Sequence, residues 1–159
     1  MWSRLTGLDA GLARIVGLER FAGIGDLVFR VLTAPIFIVG GLGHFVEHEQ
    51  MLARIEGSPW LGLVRAIADP GLLLHLSGIV FVVFGILLAL GLMTRLSALV
   101  LFVTLVPITL SIHIAPGHTG PLLKNVAILA ALVHFFLRGG GAHALDRAPA
   151  RPGTDPGAA

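Results

Sequence analysis

Histidine is the residue type in this sequence with the widest scope for chemistry, and five of the seven histidines fall near one side of a set of apolar segments. These five are His44, His48, His75, His113 and His118. Histidine exchanges protons near neutral pH and binds metal ions through its neutral imidazole. Glu47 and Glu49 lie beside the first pair and add proton acceptors or oxygen ligands. The pattern indicates proton transfer, hydrogen bonding to a ligand, or metal binding.

The closest spacing is the string His44-Phe45-Val46-Glu47-His48. On one continuous helix this spacing places both imidazoles on the same face. Two such histidines can share a metal ion, and His75 or His113 is the expected third ligand. The string also matches the H-x-x-E-H motif of the inverzincin proteases, although five residues are a weak signal without their structural context. Two alternatives stay open: histidines that only hydrogen-bond with one another, Glu47 or water, and a haem held by two histidines.

Four apolar segments must position these side chains, at about 27–46, 72–92, 96–114 and 122–138. A hydrocarbon core of about 30 Å is crossed by a helix of roughly 20 mostly apolar residues. The composition agrees, with 55% hydrophobic and 13% charged residues and a mean hydropathy of +0.91. The sequence therefore predicts an all-α fold, an integral membrane four-helix bundle over residues 26–138 that contacts lipid.

The two ends of the chain differ in composition from the apolar segments of this bundle. Residues 1–25 carry Trp2 and leucines at roughly helical spacing with arginines between them, which favours an amphipathic helix lying in the membrane interface. Charged residues interrupt the apolar core that a cleavable signal peptide would need. The glycines at 139–141 end the fourth segment, and the Pro, Gly and Ala residues that follow predict a flexible C-terminal tail over 139–159.

The lysines and arginines predict how the bundle is oriented. With the N-terminus in the cytoplasm, most of them fall on the inner side, which is the distribution preferred in bacterial inner (plasma) membranes. The inner residues are Arg4, Arg14, Arg20, Arg30, Arg95, Arg138, Arg147 and Arg151, and the outer ones are Arg54, Arg65 and Lys124. Both termini are then cytoplasmic, and the five clustered histidines face the outer side. The long outer connection is expected to hold a turn at Ser58-Pro59-Trp60 followed by a short interfacial helix.

Composition also excludes several classes of function. The chain has no cysteine, so disulfides, thiolate metal sites and thiol catalysis cannot come from it. The net charge is only +2 and the basic residues are dispersed, which argues against nucleic acid as a partner.

Further residues resemble a known family. The segment from Gly85 to Ala98, with its glycine-plus-Thr-Arg turn, is followed by an apolar helix ending at His113 and then by a Lys-Asn pair at Lys124 and Asn125. This order of motifs, over roughly residues 27–138, is similar to the DoxX family of small four-helix membrane proteins. The resemblance implies a link with quinone-dependent redox chemistry, as in the small subunit of thiosulfate:quinone oxidoreductase. By this resemblance, the expected ligand-binding residues are Arg95, His113, Lys124 and Asn125.

The resulting hypothesis is an inner-membrane subunit of a redox system that binds a quinone or a similar ligand near its outer face. His113 or His44 would hold the head of the ligand, with His75 nearby, and Glu47 and His48 would pass protons to the outer water. A partner subunit carrying the electron donor, or a second copy of the chain, is expected beside it. The alternatives are a noncatalytic subunit that anchors or assembles a larger complex, and a metal-binding protein using His44, His48 and His75. A transporter is less favoured, because four helices without an evident repeat are few for that function.

Overall fold

The computed structural model describes residues 21–113 and 119–146. Within these ranges the chain forms six helices. They are α1 (Ala22–Val46), α2 (His48–Glu56), α3 (Leu61–Ile67), α4 (Pro70–Leu90), α5 (Thr94–His113) and α6 (Thr119–Arg138). Four of them, α1, α4, α5 and α6, are long and apolar enough to cross a membrane. The predicted all-α, four-helix membrane bundle is confirmed, and the four spans agree with the predicted segments to within a few residues.

The two ends of the bundle have different chemistry, and we name them by it. The histidine end is where α1 and α5 finish and α4 and α6 begin, and it carries α2 and α3. The arginine end is where α1 begins and α4 finishes, and it carries Arg30, Arg95 and Arg138. The predicted interfacial helix over residues 1–25 falls almost wholly outside the described residues, because the description starts at Phe21.

Helix α4 has clear boundary signals in the sequence. The side chain of Asp69 accepts a hydrogen bond from the Leu72 backbone N–H at 3.0 Å, and Pro70 occupies the first turn, where its missing N–H costs nothing. At the other end Gly91 adopts a left-handed conformation with φ 70° and ends the helix. The chain turns there and enters α5 at Thr94, so the Gly-Leu-Met-Thr-Arg segment is a tight turn between two spans.

Helices α1 and α4 pack backbone against backbone through glycines. A Cβ atom added at Gly41 would lie 2.8 Å from the carbonyl oxygen of Gly78, and one added at Gly78 would lie 3.0 Å from the His44 Cβ. A Cβ at Gly85 would lie 3.1 Å from the Phe37 Cβ. Small residues permit this approach in lipid, where van der Waals contact replaces the hydrophobic effect as the cause of helix association. Gly41, Gly78 and Gly85 therefore lie in the contact between α1 and α4.

Helices α5 and α6 form the second pair, and the core lies between the two pairs. Its buried side chains include Phe37 on α1, Phe81 and Leu88 on α4, Leu101 and Leu105 on α5, and Ile128, Leu132 and Phe135 on α6. A buried polar contact is also present, because the Asn125 amide donates to the Thr109 hydroxyl at 3.0 Å. This contact ties the first half of α6 to the second half of α5.

Arg30 fastens the arginine end. It is 1% exposed, although it lies inside the first span, and its guanidinium donates to the carbonyl oxygens of Ala89, Gly140 and His143. A buried cation in lipid is costly unless its donors are satisfied, and here three carbonyls from two other segments satisfy it. Arg30 therefore holds the end of α4 and the chain after α6 against α1.

Residues 139–146 differ from the flexible tail that the sequence predicts over 139–159. They fold back onto the arginine end, where the Asp146 carboxylate accepts from the Thr94 backbone N–H at 3.2 Å and the Asp146 N–H donates to Gly91 at 3.1 Å. The glycine-rich composition that indicated flexibility instead supplies two left-handed residues, Gly139 and Gly141, which make the fold-back possible. Residues 147–159 lie outside the described residues.

The glycine contact between α1 and α4 makes a testable prediction. Gly41→Ala should lower the free energy of unfolding by about 1–3 kcal/mol, because its methyl group would overlap the Gly78 carbonyl and the Phe81 Cβ. Gly25→Ala is the matched control on the same helix, since no atom lies within 4 Å of the position of its added Cβ. Thermal unfolding in detergent measures both. Equal melting temperatures for the two variants would contradict the close contact.

Candidate functional site

A cavity of about 760 Å³ opens between the two helix pairs toward the histidine end. Most of its wall is apolar, from residues such as Phe37, Leu74, Phe81, Leu105 and Ile128. A few polar side chains interrupt this surface: His44, Arg54, Ser77, Thr104, Ser111, Lys124 and Asn125. Ligand sites for small organic molecules have this size and this combination of an apolar wall with a few polar groups. The cavity is therefore the candidate functional site.

His44 is fixed at the wall of the cavity by its Nδ1 atom. That atom lies 3.2 Å from the carbonyl oxygen of Leu74 and 2.9 Å from the hydroxyl of Ser77, whose own O–H points to the same carbonyl at 2.9 Å. A carbonyl oxygen can only accept, so Nδ1 carries the proton and Nε2 of the neutral ring carries the lone pair. The residue is 8% exposed and lines the cavity. Its Nε2 is thus the nitrogen left for a ligand.

Asn125 lies across the cavity from α1, on α6. It is 3% exposed, and one N–H of its amide is used by Thr109, whose hydroxyl in turn donates to Leu105. These hydrogen bonds set the orientation of the Asn125 amide, and its second N–H and its carbonyl oxygen remain for a ligand. Lys124 is exposed and lines the same cavity one residue earlier. Both residues therefore belong to the wall of the cavity.

Helices α2 and α3 cover the cavity at the histidine end. Met51, Arg54 and Ile55 reach it from α2, while Trp60 and Leu63 reach it from the turn and from α3. The Ser58 hydroxyl donates to the carbonyl oxygen of Ser111 on α5 at 2.6 Å, which fastens the cover to the bundle. The predicted turn at 58–60 and the helix after it are confirmed, whereas the sequence did not predict α2.

His48 and His75 form a pair outside the cavity. Their ring centroids are 4.2 Å apart with an angle of 38° between the planes. His44 does not join them, because Glu47, with φ −106° and ψ 28°, ends α1 before His48 begins α2. The predicted common face of His44 and His48 required one continuous helix. In the described part of the chain, no three side chains of His, Cys, Asp or Glu come together as they would around a metal ion.

The other predicted site residues either lie away from the cavity wall or fall outside the residues that the structure describes. Glu47 is exposed at the junction of α1 and α2 and does not contribute to the cavity wall. Arg95 is exposed at the arginine end, at the start of α5. His113 ends α5, but its side chain lies outside the described residues, as does His118.

Three residues at the cavity were not among the site residues predicted from the sequence. Ser77 is the partner that orients His44, and Arg54 and Trp60 belong to the cover. A signal for Ser77 was present, since it is the one hydroxyl inside the apolar α4 and it precedes the contact glycine Gly78. The amphipathic string 48–56 carried a signal for Arg54, with Met51, Leu52 and Ile55 at helical spacing.

Comparisons with known proteins agree with this architecture. The family model described as DoxX matches residues 25–114, which include α1 to α5 except for the first residues of α1. The chain is also 31% identical over 135 residues to an uncharacterized protein of Haemophilus influenzae, with 81% of this chain and 93% of that protein covered. No solved structure matches the chain. The family match covers more than half of the sequence, and the chain belongs to the DoxX family of integral membrane proteins.

Proposed function

We propose that this protein binds a quinone, or a similar ring-bearing redox ligand, in the cavity and acts as the membrane subunit of a quinone-linked redox system. The observation that carries this proposal is the cavity itself, about 760 Å³ of mostly apolar space with His44 and Asn125 in its wall. An apolar ring with polar oxygen atoms fits such a surface, because the ring replaces lipid and the oxygens find the few polar groups.

His44 and Asn125 are the residues that would hold the ring oxygens. His44 Nε2 can accept a hydrogen bond from a ligand hydroxyl, or donate one to a ligand oxygen after it takes up a proton. The Asn125 amide can donate its remaining N–H. The hydrogen bonds of Nδ1 to Leu74 and Ser77 keep the His44 ring in place during either exchange.

The charges around the cavity favour an electron-rich head group. Arg54 and Lys124 line it, and no Asp or Glu among the described residues does. A quinone supplies two-electron chemistry that must be accompanied by two protons. His44 would hold and release a proton at Nε2, while Glu47 and His48, next to it at the end of α1, connect this end with water.

The proposal includes the setting of the protein in the membrane. The histidine end would face the outer side of a bacterial inner membrane, and both termini would lie in the cytoplasm with Arg30, Arg95 and Arg138. A redox subunit carrying the electron donor, or a second copy of the chain, would contact the exposed faces of the bundle. In the alternative function, a noncatalytic anchor for such a complex, the cavity would hold only lipid.

Filling part of the cavity should weaken quinone binding. No atom lies within 4 Å of a Cβ built at Gly40, and Gly40 lines the cavity, so Gly40→Leu adds a side chain there without a clash at its base. In a Trp2→Phe background Trp60 is the one remaining tryptophan, and its fluorescence should be quenched by a bound quinone. Gly40→Leu should raise the dissociation constant by about 10-fold or more, equivalent to about 1.4 kcal/mol.

Gly25→Leu is the matched control for this experiment. It makes the same substitution on the same helix, also in open space, but Gly25 lies at the arginine end. It should bind quinone as the unsubstituted protein does. Quenching that is saturable and identical in both variants would exclude the cavity as the site, and an absence of saturable quenching in the unsubstituted protein would favour the anchor function.

Replacing His44 should separate binding from proton transfer. His44→Gln keeps a hydrogen-bonding side chain but cannot exchange a proton, so quinone reduction by native membranes should slow by about 100-fold or more. Binding measured by Trp60 fluorescence should change far less. His134→Gln is the control, because His134 packs on Phe29 with ring centroids 5.4 Å apart and does not line the cavity. An unchanged rate in His44→Gln would exclude His44 as the proton-transfer group.

The proposed orientation can be tested with single cysteines, since the chain has none of its own. Gly62→Cys lies on α3 at the histidine end, where no atom approaches an added Cβ within 4 Å, and Leu145→Cys lies at the arginine end at a residue that is 66% exposed. A membrane-impermeant maleimide should label Gly62→Cys in intact cells, and should label Leu145→Cys only after lysis. The opposite pattern would reverse the orientation.

A further inference from the structure

We infer that His48 and His75 form a binding site for a divalent transition-metal ion, of the zinc and copper class, at the histidine end and outside the cavity. The two rings come from different helices, α2 and α4, and their centroids lie 4.2 Å apart. Imidazole nitrogen is a preferred ligand of these ions. Two ligands come from the chain, and water or a ligand from elsewhere completes the coordination.

Both rings are fixed in the orientation that metal-binding histidines adopt. His48 Nδ1 lies 3.3 Å from the carbonyl oxygen of His44, and His75 Nδ1 lies 2.8 Å from that of Gly71. Since a carbonyl only accepts, each Nδ1 carries the proton and each Nε2 carries the lone pair. Metal-ligating histidines usually donate their other N–H to a carbonyl or carboxylate in this way. The structure thus provides two neighbouring imidazoles in the tautomer that binds metal.

The pair is open to water and has a carboxylate in its neighbourhood. His75 is exposed and His48 is half-buried, so an ion in water can reach both. A Cβ placed at Gly71 would be 3.7 Å from His48 Nε2 and 3.2 Å from Asp69 Oδ1, so this carboxylate oxygen lies within the sum of these two distances from His48 Nε2. This oxygen also caps α4 through the Leu72 N–H. Asp69 therefore adds favourable charge near the ion without being counted as a ligand.

Two histidines that stack for packing alone would show the same ring distance but would bind no ion tightly. The test is a copper titration of the full-length protein, purified without a histidine tag and stripped with chelator. Cu²⁺ is the probe because it binds imidazole more strongly than the other divalent ions of its row and because its paramagnetic resonance spectrum reports nitrogen ligands. We expect one tight equivalent whose spectrum shows nitrogen from both imidazoles.

Matched variants assign the site. His48→Ala and His75→Ala should each weaken Cu²⁺ binding by about 10-fold or more, since even loss of a partner outside the coordination sphere costs about 10-fold to 100-fold. His143→Ala is the control, an exposed histidine at the arginine end whose Nδ1 also bonds to a carbonyl, that of Gly23, at 3.1 Å. Binding retained in a His48→Ala, His75→Ala double variant, or a spectrum without imidazole nitrogen in the unsubstituted protein, would overturn the inference.

The inference does not rest on quinone binding in the cavity, and because His48 also belongs to the proposed proton route, variants of Gly40 and His75 are used to separate the two sites. Gly40→Leu, which blocks the cavity, should leave Cu²⁺ binding unchanged, because Gly40 lies on the cavity side of α1 while the metal pair lies outside the cavity wall. His75→Ala should in turn leave quinone quenching of Trp60 unchanged. Loss of both activities in either variant would show that the two sites are one, and would overturn the assignment of a separate metal site.

Discussion

The direct contact between the backbones of α1 and α4 is the constraint on which the rest of the structure depends. At Gly41 and Gly78 the two helices are so close that neither can carry a Cβ without displacing its neighbour. Lipid provides no hydrophobic drive for two apolar helices to associate, so their packing surface decides how they meet. This contact sets the rotation of α1, and with it the direction of His44, which lies one turn further along the same face.

From this contact the cavity follows. Gly41 faces α4, while the adjacent Gly40 meets no atom within 4 Å and lies at the cavity wall. The cavity thus lies beside the close pair α1 and α4, with Gly40 and Ser77 as the small residues in the part of its wall that these two helices supply. In the arginine half the space is occupied by Leu88, Leu132 and Phe135. In the histidine half the wall carries His44, Ser77 and Asn125, and the space stays open.

The four spans could be predicted from the sequence, but the separation of His44 from His48 and His75 could not, and the reason is physical. Hydropathy over a stretch of 20 residues is a strong signal, whereas an all-round apolar helix leaves its rotation undetermined. The separation of His44 from His48 depends on one residue, Glu47, whose dihedral angles end α1. The i,i+4 spacing alone cannot reveal such a break. The hydrogen bonds of Arg30 could not be predicted from the sequence either, because its three acceptors belong to Ala89, Gly140 and His143, which lie far along the chain.

Two ionisable side chains are buried in the described part of the bundle, and their polar atoms are used differently at its two ends. Both lie in α1, and Arg30 is 1% and His44 8% exposed. Arg30 has its donors taken by backbone carbonyls, so its charge is used to close the structure. His44 is held through Nδ1 by Leu74 and Ser77, and its side chain lines the open cavity. A membrane protein keeps a costly polar group either for architecture or for a ligand; Arg30 is the first case, and the proposed function assigns the second to His44.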